Sequence, residues 1–284
     1  YFSTIVFLFL TSIPLLEGNI ANAEIFMLLP TIAAFLIFSS STSFSSLFFS
    51  GLLLGFAFTF KVPVAVEFAF LFLWLTFFHP FNFKKLFVFA LSFTLPILLY
   101  LVYFSLRGAA MPFLSSALFQ NFSYLSSWAT GTQQASATSG GLLWRGLFLL
   151  FFWFLSYFFY RKKSLSKNTF FLLAWFFAAL FGALLSGRPY PHYLIQILPP
   201  LCLLLFLFAK EKISLLLSLP LLIFSLIYYN FYYYPVFSYY FNFYAHALRL
   251  RDTASYRNFF GREMNDIYLI SDKIKSLTSP NDSI

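Results

Sequence analysis

The chain has 284 residues, of which 61% are hydrophobic, 24% aromatic and only 10% charged. Soluble domains are about one quarter charged, so this composition excludes a water-soluble globular enzyme. One cysteine, Cys202, excludes an internal disulfide. We therefore expect an integral membrane protein. The net charge of +9 then reports on membrane topology and not on a surface for nucleic acid.

Nine apolar runs predict membrane-spanning segments. A span needs about 20 mostly apolar residues, and about 17 suffice when flanking side chains reach the interface. The runs lack the alternating pattern of a membrane β-barrel, so each is predicted to be a helix. In chain order they cover residues 1–16, 23–38, 44–60, 62–78, 86–104, 142–160, 170–185, 193–208 and 213–229.

The basic residues of the loops predict the orientation of these spans. Short cytoplasmic loops carry an excess of Lys and Arg. Of the 12 basic residues before residue 244, 8 fall in loops on one side: Lys84, Lys85, Arg161, Lys162, Lys163, Lys167, Lys210 and Lys212. We expect Tyr1 on this cytoplasmic side. The loops around 17–22, 61, 107–141 and 187–192 are then expected outside, together with the C-terminal tail.

The predicted fold class is an all-α polytopic membrane protein. Residues 1–244 form the transmembrane helix bundle, with an outer loop at 105–141 whose apolar side chains predict a helix lying in the interface. Residues 245–284 form an extracytoplasmic C-terminal segment. There, Ile267, Ile270, Ile274 and Leu277 recur at helical spacing, and a turn at 280–282 leads into a predicted strand. We expect the start of a small α/β unit, cut short by the end of the sequence.

Acidic residues cluster at the outer start of the second span. Glu24 lies there, with Glu17 seven residues before it. One interpretation is a solvated loop whose acids favour the N-terminal end of the helix. The other is a site at which carboxylates orient a sugar, an acceptor or a divalent cation.

A lysine occupies the tight outer loop between the third and fourth spans. Lys61 precedes Val62-Pro63 and is either an interface lysine that snorkels or a point charge for a phosphate. Glu67 lies about one turn deeper, where a charge facing lipid is too costly. We expect Glu67 to pair with Lys61 or to line the same cavity.

The stretch GRPYPHYLIQILPP, residues 187–200, concentrates polar side chains in a stiff loop. Arg188, Tyr190, His192 and Tyr193 suit an anionic lipid headgroup, and the alternative is a belt of aromatic and basic residues at the interface. A zinc site at His192 is not expected, because no second His or Cys lies at ligand spacing. Four residues of the long outer loop are expected to face solvent or to anchor the loop at the membrane: Arg107, Asn121, Tyr124 and Arg145.

Three segments together resemble the GT-C membrane glycosyltransferases, the group that includes the dolichyl-phosphate-mannose protein mannosyltransferases and the bacterial aminoarabinose transferases. The segments are ANAEIFMLLPTIAAF (21–35), GLLLGFAFTFKVP (51–63) and GRPYPHYLIQILPPLCLL (187–204). The resemblance implies transfer of a sugar from a polyprenyl phosphate to a lipid, glycan or protein acceptor, with inversion of the anomeric carbon. It implies an active face outside the membrane, and the short loops favour a bacterial plasma membrane.

The resemblance also implies roles for individual residues. Glu24 matches a supporting acid, Lys61 a basic residue near the lipid phosphate, and the loop next to the headgroup contains Arg188, His192 and Tyr193. Glu17, Glu67 and Tyr190 are further candidates. The catalytic carboxylate of the family lies in a loop that would precede Tyr1, so no residue here is given that role. A divalent cation is a candidate cofactor and no other is expected.

Two rival functions are a multi-span transporter or lipid flippase, and a non-catalytic scaffold of the cell envelope. A transporter favours charged or helix-breaking residues near the bilayer midplane. We expect the span interiors to be almost free of both, which favours chemistry at one membrane face.

Overall fold

The computed structural model describes residues 1–18, 20–121, 142–186, 190–207, 212–228, 236–279 and 282. In this part of the chain all regular elements are helices, and no strand is present. The chain divides into two compact units, Tyr1–Tyr234 and Pro235–Ile284. The boundary predicted after residue 244 lies inside the first helix of the second unit, Val236–Ala247.

Helices make up the described part of the first unit. They are α1 (Phe2–Ser12), α2 (Ala23–Ser40), α3 (Phe44–Phe60), α4 (Val64–Phe78), α5 (Phe83–Leu106), α6 (Ala110–Leu114), α7 (Leu142–Arg161), α8 (Lys167–Leu184), α9 (Leu198–Leu207) and α10 (Lys212–Tyr228). A 3-10 segment, Pro191–Ile197, leads into α9. Each of the nine predicted spans overlaps one of these helices, so their helical character is confirmed.

Four of these helices are long and apolar enough to cross a membrane: α2, α5, α7 and α8. Their lengths and compositions indicate an integral membrane protein. The helices at the other predicted spans are apolar but have only 10–17 residues. The number of nine spans therefore stays a prediction.

Local capping residues determine where several helices begin. The Ser43 hydroxyl accepts from the backbone N–H of Ser46 at the start of α3, at 3.2 Å. Ser166 does the same for Thr169 at α8, at 3.1 Å. Such caps satisfy backbone donors that have no partner within the helix.

The contact between α3 and α5 depends on two glycines of α3, which also packs against α2. A methyl group added to Gly55 would lie 2.1 Å from the carbonyl oxygen of Phe93, and one added to Gly51 would lie 2.1 Å from Oγ of Ser92. Small residues four positions apart share one helix face and let two helix backbones approach closely. The spacing Gly51-x-x-x-Gly55 is therefore a packing motif.

Aromatic stacking fills the space between the other helices. The rings of Phe35 on α2 and Trp175 on α8 stack with centroids 3.8 Å apart. Phe68 on α4 stacks on Phe93 of α5 at 3.9 Å. In a bilayer, lipid tails are as apolar as the side chains, so helix association depends on such close packing.

Prolines lie inside three apolar helices: Pro30 in α2, Pro96 in α5 and Pro220 in α10. The expectation that the spans are almost free of helix-breaking residues is therefore wrong. Transmembrane helices tolerate proline because neighbouring groups satisfy the freed carbonyl, and these helices continue past each proline. The absence of helix breakers cannot count against a transporter.

The long outer loop begins as a helix. After α5, the chain forms α6 and then a π-helical turn, Ser115–Phe119, and the Asn121 amide donates to the carbonyl of Ala117 at 2.8 Å. Tyr124 lies outside the described residues, as does the rest of this loop up to residue 141.

The second unit contains α11 (Val236–Ala247), α12 (Thr253–Asn258) and α13 (Met264–Leu277). The helix predicted from the isoleucine spacing is thus confirmed. Asp252 caps α12 by accepting from the Ser255 hydroxyl and backbone N–H, and these bonds hold the pKa of Asp252 below its usual range. No strand occurs in the described residues of this unit, so the α/β character is not confirmed, and the predicted strand lies beyond them.

At the end of α4, the burial of His79 and the positive charges of Lys167 and Lys85 lower the pKa of its imidazole. The folded protein therefore binds fewer protons than the unfolded chain once the pH falls below about 6.5. We expect the melting temperature in detergent to decrease between pH 7.5 and 5.5. His79→Gln should reduce this decrease. An identical decrease in the variant would show that other groups cause it.

Candidate functional site

A cavity of about 1010 Å³ opens within the first unit. Its walls are mostly apolar and include residues of α3, α5, α6 and the segment after α6, with Phe58, Ile97, Phe104 and Phe113 among them. Its polar groups include Glu24, Lys61, Tyr193 and Gln196. A cavity with long apolar walls and a few convergent polar groups suits an amphipathic ligand.

The polar groups meet because of the helix directions. Glu24 lies in the first turn of α2, Lys61 directly follows α3, and Glu67 lies in the first turn of α4. Neighbouring helices joined by short turns run in opposite directions, so these positions share one end of the bundle. The 3-10 segment Pro191–Ile197 reaches the same end, and three of its side chains contact these residues or Glu17.

The first of these contacts is centred on Lys61. Its ammonium nitrogen lies 2.7 Å from Oε1 of Glu24 and 4.6 Å from the centre of the Tyr193 ring. The ion pair lacks hydrogen-bond geometry, and Oε1 of Glu24 accepts no hydrogen bond from the described residues. The Lys61 side chain is 27% exposed and that of Glu24 only 3%. Lys61 lines the cavity together with Glu24 and Tyr193, and the carboxylate and the aromatic ring hold its ammonium group in place.

The second contact joins His192 to Glu17. The imidazole Nδ1 contacts Oε2 of Glu17, and the ring of Tyr190 stacks on the imidazole at 5.6 Å between centroids. Glu17 has a left-handed backbone with φ of 54°, which is uncommon for a residue other than glycine. This contact ties the loop before α2 to the 3-10 segment, and neither His192 nor Glu17 lines the cavity.

The third contact joins Gln196 and Trp175 to Glu67, which is buried. The indole N–H of Trp175 donates to Oε1 at 2.8 Å, and the Gln196 amide donates to Oε2 at 2.9 Å. Glu67 is 1% exposed and does not line the cavity, whereas Gln196 does. The expectation that Glu67 pairs with Lys61 or lines the cavity is therefore wrong, because Lys61 pairs with Glu24 and Gln196 lies between Glu67 and the cavity.

Arg145 also differs from its expected place in a solvated loop. It lies in α7, is 4% exposed, and its guanidinium donates to the carbonyl of Leu184 at 2.7 Å. The last carbonyls of a helix have no partner within it, so Arg145 completes the C-terminal end of α8. Arg107, by contrast, is exposed and lies over the Tyr103 ring at 4.9 Å.

The structure thus brings Glu24, Lys61 and Tyr193 together at one cavity. It places Glu17, His192 and Tyr190 in a neighbouring contact and Glu67 behind the cavity wall. Arg188 lies outside the described residues. Gln196 and Trp175 were not predicted as site residues. The only sign of them in the sequence is one amide side chain, Gln196, and one indole, Trp175, within otherwise apolar segments.

In the part of the chain that the structure describes, no three His, Cys, Asp or Glu side chains gather into a possible metal site. No protein-family model, curated protein or solved structure matches this chain.

Proposed function

We propose that this protein is a membrane glycosyltransferase of the GT-C type that uses a polyprenyl-phosphate sugar as its donor. The observation that carries the proposal is the position of one accessible ammonium group, on Lys61, at the polar end of a large cavity with apolar walls. A polyprenyl phosphate has the complementary chemistry, with one anionic group at the end of a hydrocarbon chain.

Lysine suits a phosphate as a compact charge with three N–H donors. Glu24 neutralises part of this charge, but Lys61 lines the cavity and is 27% exposed, so its ammonium group is accessible to a ligand there. In the proposed reaction, the acceptor attacks the anomeric carbon and the bond from that carbon to the phosphate oxygen breaks. Lys61 then stabilises the charge that develops on the leaving phosphate. The proton of the attacking acceptor passes to water or to the leaving phosphate, and not to Glu24, which is already paired with Lys61.

The proposed acceptor is a lipid, glycan or protein, and the proposed location is a bacterial plasma membrane with the active face outside. A divalent cation stays a candidate cofactor. No contact among the described residues specifically favours the rival function, a transporter or flippase. The polar contacts of Glu17, Glu24 and Glu67 gather at one end of the helices, which suits chemistry at a single membrane face.

The test is a transfer assay on the full-length protein in lipid nanodiscs. We expect release of polyprenyl phosphate from a radiolabelled polyprenyl-phosphate sugar, together with a labelled acceptor, when envelope lipid and glycan extracts are added. The same preparation in liposomes should not move the donor between leaflets. Lipid movement without cleavage of the sugar–phosphate bond would instead identify a flippase and contradict the proposal.

A further inference from the structure

We infer that Gln196 forms a hydroxyl-binding subsite in the cavity, with its amide held in one orientation by the buried Glu67. The subsite would accept a hydrogen bond from a sugar hydroxyl through Oε1 of Gln196. This inference rests on the proposed function and names the part of the donor, its polyhydroxy headgroup, that the cavity recognises besides the phosphate.

The amide orientation follows from the chemistry of its partner. In the structure the amide NH₂ of Gln196, and not its carbonyl oxygen, faces Oε2 of Glu67, and a carboxylate oxygen accepts this hydrogen bond. The second oxygen of Glu67 is engaged by Trp175, which holds the carboxylate in place. Oε1 of Gln196 is then the group left for the cavity, and it accepts no hydrogen bond from any described residue.

Gly182 on α8 provides the space for this arrangement. A methyl group at this position would lie 2.7 Å from the Gln196 amide nitrogen, so the amide would have to shift from its place. Gln196 itself is only 3% exposed. A buried amide with one oriented acceptor, in the same cavity as the accessible ammonium of Lys61, gives the cavity separate positions for a phosphate and for a hydroxyl.

Two substitutions change the subsite in different ways. Gln196→Leu removes the acceptor. Glu67→Gln keeps the shape but introduces an NH₂ group opposite Gln196, so the Gln196 amide is expected to turn over and present its own NH₂ to the cavity. The subsite then changes from a hydrogen-bond acceptor to a donor. Glu263→Gln, in the second unit, is the matched control.

The experiment measures binding of undecaprenyl phosphate and of undecaprenyl-phosphate mannose, glucose and arabinose to the full-length protein in nanodiscs. We expect at least one sugar-bearing lipid to bind more tightly than the bare lipid phosphate. In Gln196→Leu this advantage should decrease about fivefold, the typical value of one neutral hydrogen bond, while the bare lipid binds as before. In Glu67→Gln the sugar-bearing lipid should still bind more tightly than the bare lipid phosphate, because a sugar hydroxyl can also accept a hydrogen bond from the NH₂ group of Gln196.

Deoxyfluoro analogues of the preferred sugar distinguish a subsite that accepts a hydrogen bond from one that donates it. Fluorine can accept a hydrogen bond but cannot donate one. In the wild-type protein and in Glu263→Gln, fluorination at one position should weaken binding about fivefold, and in Glu67→Gln this loss should largely disappear. Binding of all lipids without any effect of Gln196→Leu or Glu67→Gln would overturn the subsite but not the proposed function. No binding of any of these lipids would overturn both. Should Gln196→Leu fail to fold, the fluorine comparison in Glu67→Gln still decides.

Discussion

Replacing Lys61 by Met is expected to weaken the binding of polyprenyl phosphate about 10- to 100-fold and to slow sugar transfer at least as much. Lys61 is the residue whose ammonium faces the cavity beside Glu24 and Tyr193. Hydrogen bonds to charged groups typically contribute about 1.5–3 kcal/mol, and this range corresponds to the expected loss. Methionine keeps the length of the side chain, so the apolar walls should still accept the hydrocarbon tail.

The same substitution also leaves Glu24 buried without its ion partner. Breaking a buried pair from one side typically destabilises a protein by about 3–5 kcal/mol. A loss of binding in Lys61→Met could therefore reflect unfolding. The double variant Lys61→Met/Glu24→Gln removes both charges together, and we expect it to recover most of the thermal stability without recovering lipid-phosphate binding.

Melting temperature and binding are therefore measured on the same nanodisc samples for both variants. Lys167→Met, an exposed lysine at the start of α8, is the matched control and should bind the lipid like the wild type. Wild-type affinity in the folded double variant would contradict the phosphate role of Lys61, and the proposed donor with it.

Replacing Gly55 by Ala is expected to destabilise the first unit by about 1–3 kcal/mol or more, in spite of the small size of the change. The added methyl group would lie 2.1 Å from the carbonyl oxygen of Phe93 and 3.0 Å from Cδ of Pro96. Both atoms belong to α5, whose backbone and proline ring cannot rotate away as a flexible side chain can. The two helices must separate, and packing contacts along both are lost.

Gly146→Ala is the matched control for this prediction. Gly146 also lies within an apolar helix, α7, but a methyl group there would lie 3.7 Å from the Phe181 ring, an ordinary contact. Alanine is the better helix former by about 0.5–1 kcal/mol, so this variant should be as stable as the wild type or more so. Fluorescence-detected size exclusion after heating compares the two. Equal melting temperatures would show that the α3–α5 contact is looser than described.

Local features of the sequence predicted the helices but not their close contacts. The apolar runs around α2, α5 and α8 overlap helices, because length and composition alone determine whether a segment can be helical in lipid. The motif Gly51-x-x-x-Gly55 is equally visible in the sequence. Which helix it contacts is not, since that depends on how α3 and α5 pack.

At the candidate site, too, the sequence predicted residues but not all of their partners. Glu24, Lys61 and Tyr193 were each predicted as candidates, and they meet at the cavity. The partner of Glu67 was predicted wrongly, because a depth of one turn below Lys61 says nothing about which side of α4 the carboxylate faces. Arg145 was expected in solvent, yet it completes the end of a neighbouring helix.

The sequence by itself indicated a membrane protein built of helices, because composition and apolar run length are properties of the local chain. Only the tertiary structure decided which polar groups are partners. Glu67 meets Trp175 and Gln196 across 108 and 129 residues, and Glu17 meets His192 across 175. In an apolar interior an unpaired polar group is costly, and the packing of the helices determines which partner is within its reach.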